Sequence, residues 1–276
     1  MSWLSVRARA EGQQARDAIA AALIGAGAQG VQEDGDWILT YLPDDTDRDA
    51  LRRSVTAASA SALFECAPAS ELEYGKEWLP QIGVQRVGAI AVAPPWLAAE
   101  AGTTSHTIII DPAMAFGTGE HATTRGALLL MQDVVRPGDT VADLGTGSAV
   151  LSIAAAMLGA ARVAAIDVDP DATGNAELNV ERNRVADRVT VLTGEAHLLL
   201  PLVAPVRVIL ANIISSVLLE LSSLMRDALA PGGVAVVSGV LVSEREDFVR
   251  SLAADGWRVH RECAEDEWWS AVLAPR

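Results

Sequence analysis

From Asp133 onward, short apolar runs alternate with amphipathic helical stretches, the order that builds a mainly parallel sheet covered on both faces. Ahead of them, residues 3–68 read strand, helix, strand, strand, helix, strand, and the composition shifts between Ser70 and Pro80. These three observations predict an α/β chain. Its parts are a small ferredoxin-like α+β domain over residues 1–69, a connector over 70–80, and a Rossmann-like seven-stranded domain over 81–276.

The small domain opens on the strand WLSVRARA and continues through the helix QQARDAIAAALIGAGA. The turn DGD then joins a strand ending at Glu33 to the alternating strand WILTYLP, a hairpin signal of turn residues between apolar runs. Asp45 or Thr46 is expected to cap the next helix, DTDRDALRRSVTAASA, and the strand LFECAP closes the motif. The polar, aromatic-punctuated ASELEYGKEWLPQIG follows as the connector. A strand pair around VQRVGAIAVAP and SHTIII, separated by the proline-rich PPWLAAEAGTT, leads into the large domain.

There the strands are TVADLG, RVAAIDV, RVTVLTG, VRVILANI, GGVAVVSGV, WRVHREC and WWSAVLA. Between them, VLSIAAAMLGA, ATGNAELNVERNR, SSVLLELSSLMRDAL and EREDFVRSLAAD have the apolar period of helices. Only the short AEDE joins the last two strands, so they should form an antiparallel hairpin at one edge of the sheet. Alternation along the final strand should bury one indole of Trp268 and Trp269 and leave the other partly exposed, both serving packing.

Composition narrows the function. A chain of 276 residues, half of them hydrophobic, can build a sizeable core. Its formal charge of −15 argues against nonspecific attraction to nucleic acid or anionic lipid, so neither direct nucleic acid nor a membrane is an expected partner. The most apolar stretch, LLLPLVAPVRVILANIISSVLLEL, is broken by two prolines, Arg207 and Asn212 and does not read as a bilayer span. MSWLSVRARAEGQQARD does not read as a secretory signal, and Cys66 and Cys263 have no redox or ligand spacing, which points to the cytoplasm. His106, His197 and His260 have no spaced partners, so no metal is expected and structural roles are assigned to them. A monomer is the default expectation.

The chemistry concentrates in a few strand ends. In VADLGTGSAVLSIAA, Asp143, Gly145 and Gly147 lie between a strand and a helix, where bare backbone can approach a ligand closely. A dinucleotide fingerprint would place a third glycine where Val150 stands, so hydride transfer with NAD is disfavoured. Asp167 ends the next strand, where a carboxylate can accept both ribose hydroxyls of an adenosine; Asp169 competes but lies where the chain turns into Pro170. Asn212 ends the fourth strand of the sheet, at the ligand-binding edge, and is followed by Ile-Ile-Ser. The run DPAMAFGTGEHATT has glycines but no lysine to meet a polyphosphate.

An acid before the glycine loop and a second acid after the next strand resemble the pattern of class I S-adenosyl-L-methionine-dependent methyltransferases. With DPAMAFGTGEHATT, DLGTGSAVLSIAAAMLGA, AIDVDPDAT, ANI and DEWWSAVLA, which cover most of Asp111 to Leu273, the chain resembles the ribosomal protein L11 methyltransferase family. That resemblance implies S-adenosyl-L-methionine as cofactor, with Thr124, Gly145, Asp167 and Asn212 at the family's cofactor-binding positions. Asp143 would offer negative charge to a sulfonium and an ammonium, Gly147 bare backbone, and Glu195 a carboxylate for the adenine amino group. Phe116 and Met114 would fold over the cofactor, Gly117 would be a further cofactor-binding residue, and His121 would line the methyl-transfer pocket.

The resemblance further implies that methyl groups go to lysine ε-amines and the N-terminal α-amine of ribosomal protein L11, with the small N-terminal domain recognising that substrate. The accepting amine must be neutral. A lysine ammonium, with a pKa of about 10.4, needs help from desolvation, whereas an α-amine at about 7.7–8.0 needs less. The Asn212 carbonyl oxygen, with nearby backbone carbonyls, would orient the amine while bulk water takes the proton. The family usually has glycine where this chain has Ala113 and Ala149; the Ala149 methyl is expected on the first turn of a helix and tolerated there. The residues alone leave open a methyltransferase acting on another protein or a small-molecule amine, and a noncatalytic cofactor-binding module.

Overall fold

A computed structural model describes residues 3–10, 12–28, 31–34, 37–43, 45–59, 61–68, 83–102, 106–111 and 119–276. The chain divides into two compact units, Met1–Gln81 and Ile82–Arg276. The connector read over 70–80 lies outside the described residues.

The first unit runs β1 (Trp3–Arg9), α1 (Gln13–Gly25), β2 (Gln32–Asp34), β3 (Trp37–Pro43), α2 (Arg48–Ala58) and β4 (Leu63–Pro68). Its sheet has the order β2-β3-β1-β4 with antiparallel neighbours, the ferredoxin-like arrangement expected of the element order. Alternation sends Leu4, Val6 and Ala8 of β1 and Ile38 and Leu42 of β3 to one face. There they are buried with Ile19 and Leu23 of α1 and Leu51 and Val55 of α2. Asp47 caps α2, rather than Asp45 or Thr46: its carboxylate accepts the backbone N–H groups of Asp49 and Ala50 at 2.9 and 3.0 Å. The helix starts at Arg48, so only the residue directly before it can reach those two amides.

The second unit begins with a small sheet ordered β5-β6-β7, made of β5 (Gln85–Val87), β6 (Ile90–Ala93) and β7 (His106–Ile109). The expected strand pair is thus three strands, because Gly88, at φ 59°, turns the chain inside what reads as one run. A 3-10 helix, Pro95–Ala101, occupies part of the proline-rich interval. Next come α3 (Ala122–Met131), β8 (Thr140–Leu144), α4 (Val150–Met157), β9 (Arg162–Asp167), α5 (Pro170–Arg182) and β10 (Val189–Thr193). The chain then continues through α6 (Ala196–Val203), β11 (Val206–Asn212), α7 (Ser215–Ala228), β12 (Leu229–Leu241), α8 (Arg245–Ala254), β13 (Trp257–Glu265) and β14 (Trp268–Pro275). The helix α6 has no counterpart in the sequence reading, where Pro201 counted as a break; the proline lies inside it, in its second turn.

The seven-stranded sheet has the order β10-β9-β8-β11-β12-β14-β13. The strands from β10 to β12 pair in parallel, and β14 runs antiparallel between β12 and β13. The terminal hairpin forms as expected, with β13 at the edge. Neighbouring residues of each strand feed two separate cores. Val141, Val163, Ala165, Val208, Leu210 and Val236 pack with α3, α4 and α5. Ala142, Ile166, Ile209, Ala211, Ala235 and Val237 pack with α6, α7 and α8. Two-sided burial is why these strands read as continuous apolar runs.

Candidate active site

Strand order reverses between β8 and β11, which lie side by side with Leu144 opposite Ala211. Open α/β sheets bind ligands at the carboxyl ends of strands at such a reversal, and Asp143, Gly145, Gly147, Asp167 and Asn212 lie at or just beyond these strand ends. β8 ends at Leu144, and the chain turns through Gly145 (φ 69°) and Gly147 (φ 52°) before α4 begins at Val150. A methyl on Gly145 would come within 2.4 Å of Ile213 Cγ2, so glycine is required there for space as well as for its backbone angle. The Gly145 and Thr146 N–H groups both donate to the Ile166 carbonyl, at 2.9 and 3.0 Å, and tie the loop to β9.

Asp143 is buried beneath this loop. Its Oδ2 accepts the hydroxyls of Thr146 and Ser152, each at 2.7 Å, while Oδ1 is buried with no hydrogen-bond partner among the described residues. Burial pushes the carboxyl up from 3.8 to about 6; the Ser152 and Thr146 hydroxyls pull it back, and the charge of Asp167 adds a smaller upward push. Neither hydroxyl was singled out from the sequence. The available signal was Ser152, the single polar residue in the helix VLSIAAAM.

Asp167 ends β9 and braces the same loop: its Oδ2 accepts the Gly147 N–H at 2.9 Å, and its Oδ1 accepts the Asp169 N–H at 3.1 Å. Asp169 is occupied differently, as the N-cap of α5, accepting the Asp171 N–H at 2.9 Å. On the other side of β8, Asn212 ends β11, and its Nδ2 donates to Oγ1 of Thr124 at 3.4 Å. Thr124 is fully buried in the first turn of α3. The structure therefore brings Asn212 and Thr124 together, and Asp143, Gly147 and Asp167 together.

The remaining expected residues make contacts of their own. His121 is the N-cap of α3: its Nδ1 lies 2.8 Å from Thr123 Oγ1 and accepts the Thr123 N–H at 3.4 Å. The ring packs edge-on against Trp268, with centroids 5.0 Å apart. Trp269 is buried and Trp268 partly exposed, as alternation required. Glu195 lies at the N-cap position of α6, exposed, with its carboxylate 3.0 Å from His197 Nδ1. Phe116, Gly117, Met114 and Ala113 lie outside the described residues.

Ala149 requires a correction. It is not on the first turn of α4 but is the N-cap before it, fully buried, with φ 65° and ψ 18°. A left-handed residue is needed to swing the loop into the helix, and in that region a Cβ crowds the neighbouring carbonyl oxygen. Alanine there carries backbone strain that glycine would not. Among the described residues, no group of three or more His, Cys, Asp or Glu side chains could hold a metal ion, and no helix is long and apolar enough to cross a membrane.

A seven-stranded sheet with one antiparallel insertion, an acid-and-glycine loop at the strand-order reversal, and a second acid on the next strand define a class I methyltransferase. The comparisons with known proteins narrow the class. The family model described as Ribosomal protein L11 methyltransferase (PrmA) matches residues 27–275. The ribosomal protein L11 methyltransferase of Chloroflexus aurantiacus is 35% identical over 266 residues, covering 86% of this chain and 81% of that protein. Its counterpart from Pelotomaculum thermopropionicum is 39% identical over 243 residues, covering 86% and 78%. A crystal structure of a ribosomal protein L11 methylase from Lactobacillus delbrueckii subsp. bulgaricus aligns with TM-score 0.64 at 27% identity, over 70% of this chain and 98% of that one. The chain belongs to the ribosomal protein L11 methyltransferase family.

Proposed function

We propose that this enzyme transfers methyl groups from S-adenosyl-L-methionine to lysine ε-amines and the N-terminal α-amine of ribosomal protein L11. The observation that carries the cofactor is the loop held between two acids: Asp143 beneath it, with one buried oxygen lacking a donor among the described residues, and Asp167 gripping the Gly147 N–H at 2.9 Å. A buried carboxylate with an unmet oxygen suits a cationic ligand, and a glycine loop without lysine does not suit a polyphosphate. When bound, S-adenosyl-L-methionine supplies an electrophilic methyl group on a positively charged sulfur.

The remaining work falls to this chain's own residues. Asp167 is the acceptor for ribose hydroxyls, while Gly145 and Gly147 allow close approach of the backbone. Thr124 completes the wall, and Glu195, exposed beside the carboxyl end of the sheet, is the acceptor proposed for the adenine amino group. Because Asn212 gives its Nδ2 to Thr124, its carbonyl oxygen is the end left to accept an N–H from the substrate amine and aim the lone pair. His121 is a positioning residue: it caps the helix that carries Thr124. Phe116 and Gly117 are proposed to cover the cofactor. The unit Met1–Gln81 is proposed to recognise the ribosomal protein, whose location sets the cytoplasm as the place of action and which requires no direct nucleic-acid contact.

Mass spectrometry of L11 incubated with the enzyme and methyl-labelled cofactor tests the reading. Labelled lysines and a labelled N-terminus are expected. Label on another acceptor alone would assign a different substrate, and cofactor binding without transfer to any acceptor would refute the enzymatic reading.

A further inference from the structure

The helix α5 reads in sequence as an ordinary amphipathic cover, yet Asn179 within it and Asn183 at its C-cap turn their amides toward backbone that belongs to other elements. Asn179 is fully buried. Its Nδ2 donates to the carbonyl of Ser148, in the glycine loop, at 3.1 Å. Its Oδ1 accepts the N–H of Asp111 at 3.1 Å and Nη1 of Arg182 at 2.8 Å, and Arg182 Nη2 lies 3.2 Å from Asp111 Oδ2. One turn on, Asn183 pairs with Ile109 at both ends of its amide, accepting the Ile109 N–H at 2.8 Å and donating to the Ile109 carbonyl at 2.7 Å. It thereby takes the place of a neighbouring strand on the side of β7 that faces away from β6.

These bonds fall at two informative places. Asp111 begins the DPAMAFGTGEHATT run that resembles the family signature, and Ser148 lies between Gly147, whose N–H is held by Asp167, and the left-handed Ala149. Fixing the Ser148 carbonyl fixes the peptide plane between Ser148 and Ala149, and with it the run of the loop past Gly147. A buried amide is costly unless both its ends are satisfied, so an asparagine placed here commits two separate backbone segments to one geometry.

We infer that Asn179 is a positioning residue that locks the glycine loop to the start of the signature run, and that Asn183 serves the signature side alone. Asn179 touches no reacting atom and acts through the two segments it joins. The inference rests on the proposed cofactor site, so the test reads the unliganded protein as well as binding.

Asn179→Ala, Asn179→Asp and Asn183→Ala are compared with the wild type by calorimetric titration with S-adenosyl-L-methionine, steady-state kinetics on L11, and hydrogen exchange without cofactor. Asn179→Ala should raise the cofactor Kd about tenfold, the equivalent of the one buried hydrogen bond that holds the glycine loop, and speed exchange at both 109–111 and 147–150. Asn179→Asp keeps the acceptor for Asp111 and Arg182 but cannot donate to Ser148. It should raise Kd comparably and speed exchange at 147–150 only. Asn183→Ala should speed exchange at 109–111 only, lowering kcat with Kd within about twofold of the wild type. If both Asn179 variants melt at lower temperature yet bind with the wild-type Kd, the residue is merely structural and the inference is overturned. A wild type that binds no cofactor, whatever its exchange pattern, overturns the site reading and this inference with it.

Discussion

Replacing Asp143 with asparagine should make the enzyme more stable and less able to hold its cofactor. Burial raises the Asp143 carboxyl from 3.8 to about 6. At about 1.4 kcal/mol for each tenfold change in ionisation, keeping it charged in the folded state costs about 3 kcal/mol at neutral pH. The sign follows from the direction. A folded value above the unfolded one means that the protonated form favours folding, so that this stability is complete below 3.8 and is lost as pH rises through about 6. Asparagine is nearly isosteric with the protonated acid, its oxygen can accept the same hydroxyls of Thr146 and Ser152, and it never ionises. Its advantage should therefore be about 3 kcal/mol at about pH 7.5, about half that at about pH 5, and close to zero below the unfolded value. Scanning calorimetry should show the larger unit melting about 6–12 °C higher at the upper pH, with a visibly smaller gain at the lower one. The cofactor Kd should rise at least about tenfold, because a cationic ligand loses the charge beneath it. Equal melting shifts at the two pH values, or a lower melting temperature at both, would refute the reasoning.

Three further outcomes follow from the same geometry. Ala149→Gly relieves about 1–2 kcal/mol of left-handed strain and gives up about 1 kcal/mol of methyl burial. It should thus leave stability nearly unchanged in chemical denaturation, whereas Ala154→Gly, equally buried but inside α4, should cost about 2 kcal/mol. Equal losses would show that Ala149 is not strained. Asn212→Ala should lower kcat for L11 methylation about a hundredfold by letting the amine drift from its line of attack; full turnover would remove Asn212 from that role. Deleting residues 1–69 should leave cofactor titrations unchanged and abolish methylation of L11, and a truncated enzyme that methylates L11 at the wild-type rate would disprove substrate recognition by the small unit.

Most of the sheet was legible because burial on two faces writes itself into the strands as unbroken apolar runs. TVADLG, RVAAIDV and VRVILANI announce both their length and their place. Of the candidate site, the positions of Asp143, Asp167 and Asn212 at strand ends were legible, because the apolar runs that end there mark them. Where a role depends on what a side chain meets across space, sequence was mute. The helix α6 was hidden by Pro201. His121 looked like a pocket residue until its ring proved to cap α3 and pack on Trp268. Asn179 and Asn183 drew no attention in the sequence, since their backbone partners in other elements lie 31 to 74 residues away along the chain.

Ala149 shows why the remainder escaped. Its residue type is unremarkable, and only the backbone angle required to pass from a glycine turn into a helix makes it costly. The charge on Asp143 is costly for a related reason: the loop folds over the carboxylate and removes it from water while leaving one oxygen without a donor among the described residues. Both costs fall within seven residues of one loop, at positions where a well-packed core would hold neither strain nor charge. A ligand that supplies positive charge above Asp143 offsets the larger of the two only when bound, so cofactor binding and loop stability are linked by mass action. The apo loop should then be less stable than the sheet that carries it, and saturating cofactor should slow hydrogen exchange at 145–149 more than in the strands on either side.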